Sequence, residues 1–599
     1  MCGILFGASP ASFQAPEKAQ WEGLKTALNR RGPDAQKEVC LTEPAQLSDP
    51  AEPQLSLYGY ATVLHLRGEQ TVAQPLQDPN NNYIFFWNGE VFDSLQVNPH
   101  CNDTTVVFDA LVAASNNSDP TVARRFFLDA IQRVGGPFAF VFYNCRTGDV
   151  WFSRDCLGRR SLLWRLPDSD HPSFWLSSVI CTEGEPAPSG QWQEVSAHGI
   201  YRLDTRQWLS NPEKFSESLT CYRWSSLPAT PTSLSGISGI EAVPQLQLPY
   251  QSAFIGILRQ ALRERVETIP STLSLLGPDS TRVAVLFSGG VDCLCLAALL
   301  HQILPPGEPI DLINVAFENP RTTQLPASSQ GPKHRGSFYH GPPYQMTLPS
   351  GEVYLFDEKE YHRLFDVPDR LTGRASFRAL AEWAPQRTWR FVAVNVPYSQ
   401  VEVQRTRITQ LMQPAHTVMD WSIALALWFA ATGEGYLEPW QTEHEVPISP
   451  TIQLQAYRSP APVLLLGMGA DEQLGGYSKH RDRFEAQGWV GLVEEMQGQI
   501  DRIAIRNLGR DDRIISDHGK ESRFPFLSHR VVDFLCSVPV HYKADLRFQR
   551  GIGEKILLRY ALRQLGLPLS ACQQWKKAIQ FGARTAKMTS GKDKGTDKI

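Results

Sequence analysis

Cys2 could act as a nucleophile that carries its own base. If Met1 is removed, this residue bears both a thiol and a free α-amino group. An α-amino group with a pKa of about 7.7 to 8 can accept a proton near neutral pH. A cysteine at the second position is more often an ordinary terminal residue. The motifs that accompany Cys2 therefore decide between the two interpretations.

A glycine-rich loop follows an apolar run later in the chain. Residues 283–287 read VAVLF, which is typical of a strand buried on both faces, and residues 288–292 (SGGVD) lead into a helical run. Small residues there bring backbone N–H groups to a helix N-terminus, where anions bind. A strand-to-helix turn that needs glycine for backbone reasons would show the same pattern. The candidate phosphate-binding residues are Ser288, Gly289, Gly290 and Asp292.

Five short motifs lie in order across the first 185 residues. They are CGI at the N-terminus, RGPD at 31–34, NGE at 88–90, ND at 102–103 and SRDCLGRRSL at 153–162. As a set they resemble the glutamine amidotransferase domain of the N-terminal-nucleophile type. The resemblance implies an α+β domain of sheets sandwiched with helices. It also implies that Cys2 forms a glutamyl thioester from glutamine and releases ammonia.

The roles implied by this resemblance suit the chemistry of glutamine. Its α-carboxylate suits a guanidinium and its α-ammonium suits carboxylates. The oxyanion formed at its side-chain amide needs preorganised donors. Taken singly, an arginine could be a surface cation and NGE a hairpin turn. The implied catalytic residues are Cys2, with Asn88 and Gly89 as oxyanion donors, and the implied glutamine-binding residues are Arg31 for the carboxylate, Glu90 and Asp103 for the ammonium, and Asn88 and Gly89.

Four further motifs accompany the SGGVD loop. They are TGRASF at 372–377, LGMGADEQLGGYSKHR at 466–481, RDDRIISDHGKESRFPFL at 510–527 and GEKILLR at 553–559. With the loop they resemble the synthetase domain of asparagine synthetases. The resemblance implies an α/β ATP pyrophosphatase domain with a pyrophosphate loop and a parallel sheet. The mixed charges at 510–513 would equally suit a solvated helix face.

This second resemblance implies ATP as a substrate and Mg²⁺ as a cofactor. Asp292 and Asp471 would bear on Mg²⁺ and the phosphates, because hard cations require oxygen ligands. Lys576 or Lys577 would neutralise the departing pyrophosphate, and backbone near the phosphate loop would line adenine and ribose. The implied ATP-binding residues are Leu286, Ser288, Gly289, Gly290, Asp292, Val315, Gly467, Lys576 and Lys577.

The chain resembles most a divergent branch of this family, the asparagine synthetase domain-containing proteins. Where asparagine synthetases carry SGEGSDE, this chain reads LGMGADE, with Met468 at the position of the glutamate. A thioether accepts no proton, so general-base help of about 10²- to 10⁴-fold is lost there. Cys293 and Leu294 stand where serines usually follow the loop aspartate, which weakens or removes a hydroxyl donor to phosphate.

Two kinds of residue pattern, in different parts of the chain, predict two domains. Runs of β-branched and aromatic residues separated by turns predict packed sheets with helices in the first part of the chain. Later apolar runs, at 283–287, 311–317, 391–396 and 462–467, alternate with helical segments and predict a parallel sheet. We expect an amidotransferase domain at 1–190, a linker and connecting segment at 191–250, an α/β domain at 251–585 with a long loop at 319–351, and a solvated lysine-rich tail at 586–599.

Composition excludes several classes of protein. The chain has 599 residues, is 42% hydrophobic and carries a net charge of −4, so it is a globular protein without a global positive field for nucleic acid. Its longest apolar run, at 422–431, is too short for a membrane span. The N-terminus lacks the pattern of a secretory signal, which predicts a cytoplasmic location. The expected partners are glutamine, ATP and aspartate or another carboxylate, with no nucleic acid and no membrane, and the oligomeric state is left open.

Three hypotheses follow for the function. The first is a glutamine-dependent, ATP-dependent amidotransferase that makes asparagine from aspartate, with glutamate, AMP and pyrophosphate as the other products. The second keeps both reactions but uses a different carboxylate acceptor, because of Met468 and the altered loop. The third is a non-catalytic protein that uses this fold to bind partners.

Overall fold

The computed structural model describes most of the chain. The residues it describes are 1–10, 13, 15–42, 55–93, 97–98, 101–180, 192–225, 250–270, 280–318, 338–339, 345–347, 353–355, 364–438, 455–575, 578–588 and 594–599. Lys576 and Lys577, most of the long loop at 319–351 and residues 226–249 of the expected linker lie outside this set.

Two antiparallel sheets and their helices form the first domain. The strands are β1 (Gly3–Ser9), β2 (Ala35–Thr42), β3 (Ser56–Val63), β4 (Leu76–Gln77), β5 (Tyr83–Gly89), β6 (Phe138–Asn144), β7 (Asp149–Arg154), β8 (Leu163–Arg165), β9 (Phe174–Ser177), β10 (Trp192–Glu194), β11 (Gly199–Asp204) and β12 (Leu219–Arg223). The helices are α1 (Ala15–Arg31), α2 (Asp103–Ser115), α3 (Pro120–Gln132), α4 (Thr205–Ser210) and α5 (Phe215–Ser218). The sheet orders are β10-β8-β9-β1-β3-β2 and β12-β11-β7-β6-β5-β4.

The two sheets pack face to face between layers of helix. Alternate residues of β1 point to opposite sides, as the two-residue period of a strand requires. Ile4 and Phe6 enter a core shared by both sheets, whereas Leu5 packs in the cluster that contains Leu24 of α1. The outer face of the second sheet packs on α2 and α3. The predicted sandwich of sheets and helices is confirmed.

The first domain extends beyond the predicted boundary at residue 190. β10 pairs with β8, β11 pairs with β7, and β12 pairs with β11. Residues 192–223 are thus integral to both sheets, so the prediction of a linker beginning at 191 is wrong for this stretch. Short strands between Ser- and Gly-containing turns have a composition that resembles a connector.

A seven-stranded sheet organises the second domain. Its strands are β13 (Val283–Leu286), β14 (Ile310–Phe317), β18 (Trp389–Val396), β19 (Glu434–Glu438), β20 (Gln455–Arg458), β21 (Val463–Leu465) and β22 (Glu521–Arg523), while β15 (Phe338–Tyr339), β16 (Gln345–Thr347) and β17 (Val353–Leu355) form a separate small sheet. The order is β20-β19-β18-β14-β13-β21-β22. Five adjacent strands, β18, β14, β13, β21 and β22, are parallel to one another. Strands β19 and β20 are added in antiparallel fashion at the β18 edge. The four apolar runs form β14, β13, β18 and β21, which confirms the predicted parallel sheet.

Helices surround this sheet. They are α6 (Gln251–Glu267), α7 (Val291–Ile303), α8 (Pro368–Trp383), α9 (Tyr398–Met412), α10 (Val418–Thr432), α11 (Ala470–Gln473), α12 (Ser478–Arg506), α13 (Leu508–Ser516), α14 (His529–Ser537), α15 (Val540–Lys543), α16 (Ile556–Gln564), α17 (Leu569–Cys572) and α18 (Ile579–Gly582). In the part of the chain that the structure describes, none of these helices has the length and apolar character needed to cross a membrane.

Charged residues of the second domain are buried against the first. All four residues of the segment 510–513 are at most 3% exposed, so the alternative of a solvated helix face is wrong. Asp512 forms an ion pair with Arg31 at 2.9 Å, and Glu521 of β22 forms one with Arg160 at 3.1 Å. Buried charges of this kind persist only when they are paired. The edge strand β22 therefore lies directly against the first domain.

The last described residues are not simply solvated. Their side chains are mostly exposed, but the carbonyl groups of Gly595 and Asp597 accept hydrogen bonds from the N–H groups of Met419 and Val418 at 3.0 and 2.9 Å. The unpaired N–H groups at the start of a helix need such acceptors. The tail at 586–599 thus differs from the prediction in that its end is fixed to the beginning of α10.

Candidate functional site

Cys2 lies at the start of β1 with its sulfur facing two donors. The backbone N–H of Leu64 hydrogen-bonds this sulfur, and the amide Nε2 of Gln74 lies 3.9 Å from it. Met1 is buried, and its α-amino group donates to the Arg31 carbonyl at 3.4 Å. Burial lowers the pKa of this amino group to about 5 and raises the pKa of the Cys2 thiol. An amine in this pocket is therefore neutral, as a base must be.

Asn88 and Gly89 end β5 inside the same domain. The Asn88 side chain is 1% exposed, and its Nδ2 has no hydrogen-bond partner among the described residues. A Cβ at position 89 would lie 2.7 Å from the Phe138 Cβ and 2.8 Å from the Pro137 carbonyl oxygen, so only glycine fits this close approach. A buried amide donor without a partner is costly in an empty protein, which favours a ligand acceptor at this position.

Glu90 and Asp103 lie together around Arg67. Arg67 NH1 is 3.6 Å from Glu90 and 3.9 Å from Asp103, and all three side chains are at most 5% exposed. Burial, followed by the charge of Asp103, raises the pKa of Glu90 to about 8; burial also raises the pKa of Asp103. Arg67 Nε and Glu90 Oε2 lack hydrogen-bond partners among the described residues. The cluster offers both a guanidinium and carboxylates to a zwitterion.

Arg31 is engaged elsewhere. Its NH2 group pairs with Asp512 of α13 at 2.9 Å, with both side chains at most 1% exposed, and its Nε donates to the Cys2 carbonyl at 3.4 Å. Arg67, rather than Arg31, is the guanidinium next to Glu90 and Asp103. Arg31 NH1 has no hydrogen-bond partner among the described residues, so the assignment of Arg31 to the glutamine carboxylate stays a prediction, and Arg67 is a second candidate for that role.

The second domain contributes to this first site. Arg523 of β22 places its NH2 group 3.3 Å from Glu90 and its Nε 2.6 Å from Glu521. The guanidinium thereby links a carboxylate of the amidotransferase domain to the parallel sheet of the other domain. A residue of the second domain therefore contacts a carboxylate of the candidate glutamine site.

The loop after β13 is held in a tight conformation. Gly289 has a φ of 80°, and a Cβ there would lie 2.4 Å from the Thr372 carbonyl oxygen. The Ser376 hydroxyl donates to the Gly289 carbonyl at 2.7 Å. The TGRASF motif, on α8, therefore supports the SGGVD loop from outside. Gly290 directly precedes α7, which places the loop at a helix N-terminus.

Lys555 connects the two carboxylates expected at the phosphate site. Its Nζ lies 2.9 and 2.6 Å from the two carboxylate oxygens of Asp292 and 2.7 Å from Asp471. The Lys555 side chain is 4% exposed and its backbone is left-handed, with a φ of 55°. A buried ammonium with two carboxylates can exchange one of these contacts for a phosphate.

The remaining predicted residues lie around these groups. Leu286 ends β13, Val315 is in β14, and a Cβ at Gly467 would lie 2.8 Å from the Asp292 Cβ. The carboxyl ends of parallel strands thus meet at this edge, where α/β proteins bind ligands. Beside it lies a cavity of about 580 Å³ lined by residues that include Asp471, Tyr477, Arg481, Arg550, Lys555 and Trp575.

The residues present fit a magnesium ion brought in with phosphates. In the described part of the chain, no group of three or more His, Cys, Asp or Glu side chains forms a ready metal site. Mg²⁺ is commonly bound by one or two carboxylates together with substrate phosphates. Asp292 and Asp471, which share Lys555, supply that number of carboxylates.

The substituted residues adopt different environments. Met468 is half-buried and packs against a hydrophobic core. Leu294 is fully buried, so it faces away from any phosphate. The Cys293 thiol donates to the Gly290 carbonyl at 3.1 Å and lies 3.8 Å from the Ser288 hydroxyl. The two positions after Asp292 therefore offer no hydroxyl, and the hydroxyl of the SGGVD loop is that of Ser288.

Three residues at these sites were missed by sequence reasoning. Lys555 lies within the GEKILLR motif, yet the phosphate cation was placed at Lys576 or Lys577, which lie outside the described residues. Arg67 follows β3 in the segment LHLRG, and Gln74 precedes β4. A cation within a matched motif was the available signal for Lys555. No local pattern distinguishes Arg67 or Gln74.

Comparison with known proteins agrees with this division of the chain. A glutamine amidotransferase domain family matches residues 62–181, and the asparagine synthase family matches residues 484–593. The fold and these matches define a protein with a glutamine amidotransferase domain followed by an asparagine synthase domain.

Full-length relatives narrow this class. The chain is 37% identical to asparagine synthetase domain-containing protein 1 of Mus musculus, over 100% of this chain and 99% of that protein. It is 36% identical to the protein of the same name from Gallus gallus, over 99% and 98%. A putative glutamine-hydrolysing asparagine synthetase of Methanocaldococcus jannaschii matches 14% of this chain and 15% of its own length at 38% identity. The chain belongs to the family of asparagine synthetase domain-containing proteins.

Proposed function

We propose that this protein is a glutamine-dependent amidotransferase that makes asparagine from aspartate. Glutamine hydrolysis at Cys2 would supply ammonia to a carboxylate activated by ATP as an acyl-adenylate, with AMP and pyrophosphate as products. The observation that supports it most is a set of buried side-chain atoms of Arg67, Asn88 and Glu90 that lack a hydrogen-bond partner among the described residues. Arg67 Nε, Asn88 Nδ2 and Glu90 Oε2 match the carboxylate, the amide oxygen and the ammonium of one glutamine.

In this proposal, glutamine lies with its two ends on opposite charges. The α-carboxylate takes Arg67 and the α-ammonium takes Glu90 and Asp103, which are already adjacent. The side-chain amide then lies toward Cys2 and Asn88. Attack by the sulfur forms the C–S bond, and the oxyanion accepts hydrogen bonds from Asn88 Nδ2 and the Gly89 N–H. Collapse expels ammonia, and water hydrolyses the thioester to glutamate.

The proton route requires removal of Met1. The freed α-amino group of Cys2 would take the thiol proton and pass it to the departing ammonia. The buried surroundings that lower the pKa of the present α-amino group to about 5 would also keep this amine neutral. Met1 is buried, so its removal would open space beside Cys2.

Substitutions of Arg67 and Arg31 should differ in effect, the first on glutamine binding and the second on the stability of the fold. Arg67→Met is expected to raise KM for glutamine at least about tenfold, since a charged hydrogen bond of about 1.5–3 kcal/mol is lost. Arg31→Met is expected to lower the free energy of unfolding by up to about 3–5 kcal/mol, because the buried Asp512 loses its closer guanidinium and retains the more distant Arg160 at 3.7 Å. Glutamate release and urea unfolding of both variants measure these effects. A KM increase confined to Arg31→Met would support the sequence-based assignment.

Glutamine binding should strengthen as the pH rises. Only the ionised Glu90 attracts an ammonium, and burial with the neighbouring Asp103 raises the pKa of Glu90 to about 8. Below that pKa, binding must expel a proton, so affinity should increase up to about tenfold per pH unit from pH 6 to 8. Calorimetry on Cys2→Ala protein measures this without turnover. Asp103→Asn should shift the rise to lower pH, whereas a flat profile would contradict the role of Glu90.

The second half of the proposal rests on the loop and Lys555. Ser288, Gly289 and Gly290 present backbone at the α7 N-terminus to the ATP phosphates, and Leu286, Val315 and Gly467 lie where adenine and ribose would bind. Lys555 would leave one carboxylate to balance the departing pyrophosphate. Mg²⁺ bound by Asp292 and Asp471 would supply positive charge that neutralises the phosphates.

Met468 bears on the identity of the carboxylate acceptor. Its half-buried thioether offers no base to ammonia, which favours a second candidate in which another carboxylate is the acceptor. Purified protein with N-terminal Cys2, aspartate and MgATP should form asparagine with glutamine or ammonium. Pyrophosphate release with another carboxylic acid alone would select the second candidate. Absence of MgATP binding and of glutamate release would favour a non-catalytic binding protein.

A further inference from the structure

Gln74 contacts three of the segments that build the candidate glutamine site. It is 2% exposed and lies between β3 and β4. Its Oε1 accepts a hydrogen bond from the Trp87 N–H at 2.7 Å, one residue before Asn88. Its Nε2 lies 3.9 Å from the Cys2 sulfur and 3.5 Å from the Thr104 hydroxyl, one residue after Asp103.

The backbone of β5 determines which amide atom faces the sulfur. An N–H group can only donate, so the atom that receives the Trp87 hydrogen bond must be the carbonyl oxygen. The NH₂ group is consequently directed to Cys2 and Thr104. A donor held in this way suits a thiolate, which needs hydrogen bonds in a buried site. Such contacts are often long before substrate binds and shorten in the reacting complex.

We propose that Gln74 is a further catalytic residue, whose amide donates a hydrogen bond to the Cys2 sulfur and stabilises its thiolate form. This inference deepens the proposed glutaminase function and rests on it for its catalytic meaning. The hydrogen bond offsets two negative groups that act on the thiol, Glu521 from β22 and Asp103 from α2. The Leu64 N–H acts on the thiol in the same direction as Gln74, and the α-amino group does so only in its charged form; Arg31 and Arg160 lower the pKa of that amino group.

The test is the pH dependence of Cys2 alkylation in the full chain with Met1 removed. Iodoacetamide labelling of the Cys2 peptide, followed by mass spectrometry, gives the thiol pKa without requiring turnover. Gln74→Met is expected to raise that pKa by about 1–2 units, the equivalent of one hydrogen bond to a charged group. Where glutamine is hydrolysed, kcat should fall while KM changes less, because Gln74 contacts the nucleophile.

Two comparisons keep the inference falsifiable. Gln77→Met is the matched control, because the Gln77 side chain in β4 hydrogen-bonds the Asn81 side chain at 3.4 Å, and the thiol pKa should stay unchanged. Gln74→Glu retains an acceptor for the Trp87 N–H, so it serves if Gln74→Met fails to fold, and its ionised form should raise the thiol pKa.

The outcomes separate this inference from the proposed function. A folded Gln74→Met or Gln74→Glu protein with the wild-type thiol pKa would overturn the role of Gln74. A raised thiol pKa in Gln74→Met, combined with a wild-type protein that releases no glutamate, would support the hydrogen bond and overturn the glutaminase. A raised pKa together with reduced kcat would support both.

Discussion

Cys2→Ala protein is expected to release no measurable glutamate from glutamine, a loss of at least about 10⁴-fold. Without the sulfur no thioester forms, and the remaining groups at the site only bind and polarise the amide. The fold should be unaffected, because Cys2 is half-buried and makes no ion pair. Glutamate formation is measured by a coupled dehydrogenase assay, together with product formation from ammonium.

The ammonium reaction is the internal control for Cys2→Ala. It bypasses the first site, so its rate should match that of the wild-type protein within about twofold. Cys40→Ala, at an exposed cysteine in β2, controls for loss of any thiol. Glutamine-dependent product formation by Cys2→Ala would show that another residue is the nucleophile. Loss of the ammonium reaction as well would show that Cys2 supports the second site.

Lys555→Met is expected to abolish pyrophosphate release and to destabilise the second domain. Its ammonium bridges Asp292 and Asp471 at 2.6–2.9 Å, so its removal leaves two buried or half-buried carboxylates in mutual repulsion. Breaking a buried pair costs about 3–5 kcal/mol. Loss of the ammonium that bridges both carboxylates should also lower turnover at least about 10²-fold. Urea unfolding and phosphate-coupled pyrophosphate detection measure the two effects.

A second variant distinguishes charge balance from catalysis at Lys555. Lys555→Met combined with Asp471→Asn should recover part of the lost stability, because one carboxylate is neutralised, but no activity. Lys479→Met is the matched control at an exposed lysine, and its unfolding free energy should stay within about 0.5 kcal/mol of wild type. Full activity of Lys555→Met would leave the phosphate cation to the segment that contains Lys576 and Lys577.

Much of the fold could be predicted because its signals are local. The runs that form β13, β14, β18 and β21 are mostly apolar, with Asp311, Asn314 and Asn395 among the exceptions, and the aromatic and β-branched runs of the first domain are separated by turn residues. The predicted end of the first domain at residue 190 is wrong because it, too, was based on local signals. Short edge strands such as β10 gain their identity from pairing with β8, which no local pattern records.

The candidate site was predicted unevenly for a physical reason. Short motifs indicate Cys2, Asn88, Glu90 and the SGGVD loop as candidates, because the residues with the relevant chemistry lie next to one another in the chain. Arg31 and Arg67 are chemically the same, and only their partners distinguish them. Asp512 lies 481 positions from Arg31, and no local sequence pattern reports that pairing.

The sequence by itself determined the division into an amidotransferase part and an asparagine synthase part, and it predicts the nucleophile and the phosphate loop. These features depend on residue type and short spacing, which fold into the same local geometry wherever they occur. Only the tertiary structure decided which cations serve each site. Arg67 and Arg523 meet Glu90, and Lys555 meets Asp292 and Asp471, because buried charges are stable only when partners from distant segments neutralise them.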